Sequence, residues 1–343
     1  MKKINNCLYG ILIFCSLFTS AQEKLWTSGR PDGHAPMDVM GDHYHKKGEW
    51  MVSYRLMNMT MEGARSGNQD MATSVVHQSY MAAPKEMQMS MHMLGIMYAF
   101  SDQLTLMMMT NYSVLSMDLV NRMNASFSTE SDGLGDLSLS ALIKLYNQNR
   151  NSIHLQAGFS IPTGSIDQKG DTPMMSNTPL AYPMQLGSGT WDPIIGLTYL
   201  GQSSALSWGW QSRYQIRTGE NDNGYRLGNS FQTQGWGALK LSQKWSLATS
   251  LKYIKRSKIK GQYDALNPIM MPLFNATNSG GNQLNLGFST NFYFPEGTLK
   301  NFRLGVSYEI PLSQDTNGIQ MANENLLTIG IQYSFKAKEK KEE

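Results

Sequence analysis

Hydrophobic and polar positions alternate with a period of two along most of the chain. Alternation of this kind gives a strand one apolar and one polar face. In the stretch 151–161, for example, Leu155 and Phe159 share one parity, whereas His154 and Gln156 share the other. Such segments lie near residues 49–61, 87–100, 103–114, 135–146, 151–161, 191–201, 205–218, 227–241, 244–256, 283–294, 300–310 and 325–335. The pattern predicts an all-β chain of about twelve strands.

The connections between these segments alternate between short and long. Ser101-Asp102 and Ser242-Gln243 are examples of short connections. The long ones are residues 62–86, 115–134, 162–190, 219–226, 257–282 and 311–324. Transmembrane barrels of the outer membrane have short periplasmic turns and longer external loops. A soluble β-sandwich has no reason to place every long connection at one end. We therefore expect a single antiparallel up-and-down transmembrane β-barrel over residues 49–335.

The N-terminus has the features of a secretory signal. Lys2 and Lys3 precede an apolar run, and small residues end at Ala21, so cleavage is expected there. Both cysteines lie in residues 1–21, which leaves the mature chain without disulfides or thiolate metal sites. No later run approaches the roughly 18 apolar residues of a membrane helix. We expect residues 22–48 to form a periplasmic or plug-like segment and residues 336–343 a charged tail.

The net charge and the last strand indicate the cellular location and the partners of the protein. A net charge of +3 argues against non-specific nucleic-acid binding. Gly330, Tyr333 and Phe335 resemble the terminal signal that the barrel-assembly machinery reads. We expect a protein of the Gram-negative outer membrane, with membrane lipid, that machinery and a small solute or metal ion as partners.

Methionine is the unusual residue of this chain. Most of the 25 methionines lie between Met37 and Met123. In the first segment they share their parity with Arg55, and arginine is costly towards lipid, so this parity should face the lumen. The same alternation applies to the next two segments. The methionines predicted to line the inner wall as candidate ligands are Met57, Met59, Met61, Met87, Met89, Met91, Met93, Met107 and Met109.

Three interpretations of these methionines remain open. They could fill the interior as flexible packing residues. They could bind soft ions, because thioether sulfur suits Cu(I) and, by extension, Ag(I). They could also form an apolar lining for a hydrophobic or aromatic small molecule. The function expected from the sequence is passage or binding of a small solute, with a Cu(I)-type ion, transported or bound, as the narrower hypothesis and no resident cofactor.

A second group of candidate metal ligands precedes the first strand. It consists of His34, Met37, Met40, His43 and His45. Imidazole suits copper and zinc, and histidines at i and i+2 can meet one ion. The alternative is a polar entry strand or lumen plug in which the histidines are merely hydrogen-bonded.

Catalytic constellations are weak in this sequence. His154 shares a parity with serines, but that parity faces the lumen, whereas an outer-membrane lipid hydrolase needs its catalytic groups towards lipid. We expect no catalytic residues and no enzyme, with a lipid hydrolase or a structural barrel as remote alternatives. Asp136 and Asp192 should cap turns. Residues expected to form charge networks in the lumen are Arg213, Arg217, Arg303 and Glu309.

Three short glycine-rich stretches carry a family resemblance. They are Gly133-Leu134-Gly135-Asp136, Ile161-Pro162-Thr163-Gly164 and Leu186 to Asp192. Their order and spacing resemble those of the outer-membrane family described as "putative MetA-pathway of phenol degradation". Residues 35–45, followed by the methionine-rich segment 49–61, look like a methionine-rich branch of such proteins. The resemblance implies an outer-membrane barrel with a transport role, and it supplies no catalytic residues.

Overall fold

Each alternating segment forms a strand of one antiparallel sheet. The structure, a computed structural model, describes residues 25–336. The predicted signal peptide and nearly all of the charged tail lie outside this range. The strands are β1 (Glu49–Gly67), β2 (Gln69–Met71), β3 (Ala82–Ala99), β4 (Leu104–Asn121), β5 (Ser126–Leu134), β6 (Leu137–Gln148), β7 (Asn151–Ile161), β8 (Lys169–Gly170), β9 (Thr178–Pro179), β10 (Asp192–Gln202), β11 (Leu206–Gln215), β12 (Tyr225–Arg226), β13 (Ser230–Lys240), β14 (Trp245–Arg256), β15 (Lys260–Gly261), β16 (Gly281–Tyr293) and β17 (Phe302–Lys336).

The sheet closes into a barrel because β17 reverses direction. Its first arm, residues 303–316, pairs antiparallel with β16, and its second arm, residues 316–336, pairs antiparallel with β1. The wall runs in the order β17-β16-β14-β13-β11-β10-β7-β6-β4-β3-β1. Eleven antiparallel strands cannot close on themselves, so the reversal at Gly318, where φ is 75°, supplies the twelfth. The predicted antiparallel barrel of about twelve strands is confirmed.

The outer face of the wall is apolar. Leu94, Leu251 and Phe288 are more than half exposed, whereas Ser250, next to Leu251, is 5% exposed because it faces inward. Exposed apolar side chains on other strands of the same face include Val52, Leu106, Leu139, Phe159, Ile195, Trp210, Val306 and Ile329. Exposing so much apolar surface to water is unfavourable, so lipid or a partner must cover it. A closed sheet also leaves no unpaired strand edge to face lipid. The wall is therefore built to span a membrane.

Aromatic rings gather on the outer face at the end where the short turns lie. Trp50 and Tyr98 pack with ring centroids 4.5 Å apart. On the other side of β1, Tyr333 stacks between Phe302 and Phe335, at 4.4 and 5.4 Å. Such rings mark the boundary between hydrocarbon and headgroups in membrane barrels. This boundary defines the short-turn end of the barrel.

The strands extend further than predicted at the opposite, long-loop end. β1 continues to Gly67, β3 begins at Ala82, and β4 continues to Asn121 and pairs with β5. The predicted loops 62–86, 115–134 and 311–324 are therefore largely strand. The lipid-facing apolar parity ends there because outward residues such as Asp118 are polar, whereas Leu115 and Met117 turn inward under the loops, and the backbone pairing continues. A short helix, α1 (Thr73–Ser79), joins β2 to β3.

The connections 162–190 and 257–280 fold over the long-loop end. Their short 3-10 turns, Tyr182–Met184 and Pro272–Phe274, bring apolar side chains onto the inner face of the wall. Buried members of this cap are Met87, Leu115, Met117, Leu119, Leu180, Met184, Met271, Leu273 and Met321. Among the described residues, no helix is both long and apolar enough to cross a bilayer.

Candidate functional site

Residues 25–48 lie inside the barrel at the short-turn end and are termed here the N-terminal plug. Side chains of the wall hold the plug by hydrogen bonds to the main chain of the plug. Polar side chains from β4, β7, β11, β14 and β17 supply these contacts. The hydrogen bonds are His45 N to Thr105 Oγ1 (3.0 Å), His154 Nε2 with Gly41 O (2.9 Å), Gln211 Nε2 to Met40 O (3.0 Å), Ser246 Oγ to Pro31 O (2.9 Å) and Met37 N to Ser307 Oγ (2.9 Å). The polar inner parity of the strands thus satisfies a segment that has no regular structure of its own.

A buried ion triad links the plug to strands β14 and β17 of the wall. Lys252 Nζ lies 2.7 Å from Asp38 Oδ2 and 2.5 Å from Glu309 Oε1. Gln234 donates to the same oxygen of Asp38 at 2.8 Å, and Asn285 donates to Glu309 Oε2 at 3.1 Å. Burial alone would raise the pKa of Asp38, but the Lys252 ammonium and the hydrogen bonds from Lys252 and Gln234 hold it below its ordinary value. Asp38 is therefore an anion at neutral pH.

Met37 is packed and not available to the lumen. Its side chain is 0% exposed. A Cβ on Gly305 would lie 2.5 Å from its terminal methyl, and a Cβ on Gly330 would lie 2.6 Å from its sulfur. The two glycines, one on each arm of β17, leave the space that Met37 fills. This predicted metal-ligand candidate therefore serves as an anchor of the plug.

Above the plug and below the cap, two adjoining cavities form a chamber. Their volumes are about 400 Å³ and about 340 Å³. Both are lined by Met40, Met89, Met91 and Met93. Further methionines line one or the other: Met57, Met59, Met107 and Met109. The chamber thus has one wall of thioethers, carried by β1, β3 and β4.

The opposite wall of the chamber carries positive charge. Arg213 lines both cavities, Arg217 lines the larger, and Arg256 lines the smaller. Arg217 pairs with Asp192. Within residues 25–336, neither Arg213 nor Arg256 has a carboxylate within ion-pair distance, and Nε of Arg213 has no hydrogen-bond partner. Both guanidinium groups therefore line the chamber without a carboxylate partner.

The candidate metal ligands from the sequence divide into separate groups. Met57, Met59, Met89, Met91, Met93, Met107 and Met109 lie on the lumen side and line the chamber with Met40. Met61 and Met87 instead pack in or against the apolar cap. His34, His43 and His45 come together in the plug beside Asp42. The structure thus brings the three histidines into one cluster, but it does not join them to the methionines.

Burial and neighbouring charges together shift the pKa values in this histidine cluster. Asp42 Oδ1 lies 2.9 Å from His43 Nδ1, and its Oδ2 lies 3.6 Å from His34 Nδ1. Burial, with help from the nearby Arg303 charge, lowers the pKa of His34 to about 3. Burial also lowers the pKa of His45. The neighbouring His43 and His34 hold the pKa of Asp42 well below its ordinary value despite burial.

Asp136 joins the three glycine-rich stretches. Its Oδ1 accepts from Gly164 N at 3.0 Å, and its Oδ2 accepts from N and Oγ of Ser188 at 3.0 and 2.7 Å. A Cβ on Gly187 would lie 2.1 Å from the Gly164 carbonyl oxygen, so the two stretches approach as closely as glycine allows. Asp192 likewise accepts from Thr190 Oγ1 at 2.7 Å. Asp192 holds its own turn, as expected, whereas Asp136 bridges stretches that are 28 and 52 residues away and does not cap a local turn.

The sequence pattern did not indicate some residues of the site, and it predicted other partners for some that it did indicate. Lys252 and Arg256 were not singled out, although they follow the polar parity of their segment. Of the predicted charge networks, Glu309 pairs with Lys252, whereas Arg303 bonds Gln332 Oε1 at 2.9 Å and the Ala35 carbonyl. No local pattern indicates which residues of different strands meet, because those partners are far apart in sequence.

The closed sheet, apolar belt and polar, filled lumen define a membrane-spanning β-barrel of the outer-membrane type. The family described as "Putative MetA-pathway of phenol degradation" matches residues 64–310, and the chain belongs to that family. The resemblance stated from the glycine-rich stretches is confirmed. The methionine-rich branch stays a prediction. No curated protein matches the sequence.

Two solved structures are similar to this chain to different degrees. The COG4313 outer membrane channel from Pseudomonas putida F1 is similar over 87% of this chain and 99% of that chain, with a TM-score of 0.62 and 15% identity. At this identity the likeness shows the fold alone. A FadL homologue from Pseudomonas aeruginosa matches 90% of this chain and 98% of its own, with 9% identity and a TM-score of 0.40, which is too low to carry an argument.

Proposed function

We propose that this protein is an outer-membrane channel of a Gram-negative cell for small organic anions with an apolar body, such as aromatic carboxylates or sulfonates. The observation that carries the proposal is the two-sided chamber. Its thioether wall suits an apolar ring, because sulfur packs well against aromatic groups. Its guanidinium wall suits a carboxylate or sulfonate, which Arg213 and Arg256 can bind through paired donors.

The position of the chamber supports a gated route. The plug closes the short-turn end, and the apolar cap covers the long-loop end. A solute that crosses the barrel must therefore pass through the chamber after one of these parts moves. The plug has no regular secondary structure and is held by side chains, so its release breaks no strand pairing. We infer that the plug is the moving part.

A second candidate is passage of Cu(I) or Ag(I). The four methionines shared by both cavities, Met40, Met89, Met91 and Met93, favour it because thioethers select soft ions. The unpaired arginines disfavour it, since a cation in the chamber would lie against their charge. The organic anion is therefore the primary proposal.

A flux assay in liposomes separates the two candidates. Benzenesulfonate, which stays charged at every relevant pH, is compared with Ag(I) for the wild-type barrel and for empty liposomes. Replacing Arg213 and Arg256 together by Gln is expected to lower benzenesulfonate flux at least tenfold, while M89L/M91L leaves it nearly unchanged. If instead M89L/M91L abolishes Ag(I) flux and the double arginine variant keeps its benzenesulfonate flux, the soft-ion route is established. Wild-type flux no greater than that of empty liposomes would reject a channel.

We also propose that the barrel is not an enzyme. His154 is 0% exposed, and its Nε2 is engaged by the Gly41 carbonyl of the plug. A hydrolase of membrane lipid needs its histidine towards the bilayer. We further propose that the barrel-assembly machinery binds the last strand, whose Tyr333 and Phe335 rings stack on the outer face.

A further inference from the structure

Three imidazole rings of the plug lie side by side in the interior. The ring centroids of His34 and His43 are 4.4 Å apart, and those of His43 and His45 are 4.8 Å apart. Each of these residues is at most 6% exposed. Ligand atoms of His34, Asp42 and His43 all lie within 4.8 Å of one another. Small side-chain rotations would therefore bring several donors to the ~2.0–2.1 Å that nitrogen adopts around zinc.

Each of the three rings has a buried nitrogen without a partner. These atoms are Nε2 of His43, Nε2 of His45 and Nδ1 of His34, the last of which lies 3.6 Å from Asp42 Oδ2, beyond hydrogen-bond distance. Buried polar atoms are nearly always satisfied, and an orphaned one calls for a bound water or ion. One ion between adjacent rings would satisfy more than one of these nitrogens at once, and the ring of His45 lies next to that of His43.

Asp42 selects the ring form that a metal requires. Its carboxylate accepts the Nδ1 proton of His43 at 2.9 Å, which leaves a lone pair on Nε2. A carboxylate behind a metal-binding histidine is the usual way in which proteins orient such a ligand.

The cluster can be reached from the short-turn end. A cavity of about 180 Å³ is lined there by His34, His45 and Glu49. Glu49 Oε2 lies 3.6 Å from His45 Nδ1 and adds negative charge near the entrance. Arg303 lines the same cavity and acts in the opposite direction, because its charge repels a cation.

We propose that His34, His43 and His45 bind one divalent transition-metal ion of the Zn²⁺ or Cu²⁺ class in the plug, with Asp42 as the positioning carboxylate. Three neutral nitrogens suit these borderline ions better than Cu(I), which prefers sulfur. The site is separate from the methionine chamber and independent of its solute. Because the ligands lie between residues 34 and 45, the ion also cross-links the two ends of this stretch of the plug.

The test titrates the purified full-length barrel in detergent, carrying no polyhistidine tag and stripped with chelator, against Zn²⁺ and Cu²⁺ by calorimetry. The wild type is expected to bind one ion per barrel. H34Q, H43Q and H45Q are each expected to weaken binding at least 100-fold. The double variant H77Q/H92Q, which removes histidines outside the plug, serves as the matched control and keeps wild-type affinity.

Two further arms keep the test decisive if a histidine variant does not fold. Electron paramagnetic resonance of the Cu²⁺-loaded wild type should show coupling to imidazole nitrogens. D42N should weaken binding by about 10- to 100-fold, as is usual when a carboxylate that orients a metal-binding histidine is lost. M89L/M91L should leave Zn²⁺ binding unchanged. A wild type that binds no stoichiometric ion, a spectrum without nitrogen coupling, or equal affinity in folded H43Q would overturn the proposal.

Discussion

A Cβ on Gly330 would lie 2.6 Å from the sulfur of Met37, so the wall of the barrel and its plug are fitted to each other at this point. Gly330→Ala should therefore push Met37 out of its pocket. Overpacking a filled site costs about 1–3 kcal/mol. We expect faster hydrogen exchange of residues 35–42 by mass spectrometry. Gly237→Ala is the control, because a Cβ there meets no atom within 4 Å. Equal exchange in the two variants would contradict the assigned fit.

Lys252→Met should undock the plug. The substitution leaves Asp38 and Glu309 facing each other without their shared cation, and breaking a buried pair costs about 3–5 kcal/mol. The plug should then become sensitive to protease in the folded barrel, while the exposed control Lys258→Met stays resistant. Adding Glu309→Gln to Lys252→Met should restore part of the resistance, since it removes one of the two unpaired charges. A resistant Lys252→Met barrel would refute the role of the triad.

Acid should release the plug through Asp38. The pKa of Asp38 is lowered in the docked state relative to its ordinary 3.8, mainly by Lys252 acting against burial. The undocked state therefore binds the proton more readily, and the stabilisation is present above about pH 4 and is lost as the pH falls below it. Hydrogen exchange of residues 35–42, corrected for intrinsic rates, should rise below that pH. In D38N the part of this rise due to Asp38 should be absent, and an identical profile in D38N would contradict the assignment.

Asp136→Asn should loosen the cap. An amide in place of the carboxylate turns a donor towards the donors of Ser188, and an unsatisfied group of this kind costs about 1–3 kcal/mol. We expect faster exchange across residues 162–190, with the wall strands unaffected. The exposed Asp264→Asn is the control. Unchanged protection of Gly164 and Ser188 would show that the junction is held by packing alone.

Much of the wall could be predicted from the sequence. Alternation assigns Leu155 and Phe159 to lipid and His154 and Gln156 to the lumen, because side chains of a strand point to opposite faces in turn. The strand ends at the long-loop side were placed too early. There the apolar side chains, such as Leu115 and Met117, face inward and the outward ones are polar, so the lipid-facing pattern stops while hydrogen bonding between strands continues.

The plug could be predicted only in part. The sequence marks His34, His43 and His45 as a group because they are close along the chain. It does not place Met37 between two glycines or Asp38 against Lys252, since those partners are more than 200 residues away. A short segment without periodicity offers no pattern that specifies its docking surface.

By itself, the sequence determined the period-two alternation, the spacing of short and long connections and thus a lipid-facing sheet. These features are local, because each follows from neighbouring residues on one strand. Tertiary structure decided what fills the lumen: the reversal in β17 that closes the wall, the plug beneath the chamber and the arginines opposite the methionines. Those relationships depend on which inward side chains meet across a closed barrel, and only closure brings Arg213 and Met91 into one cavity.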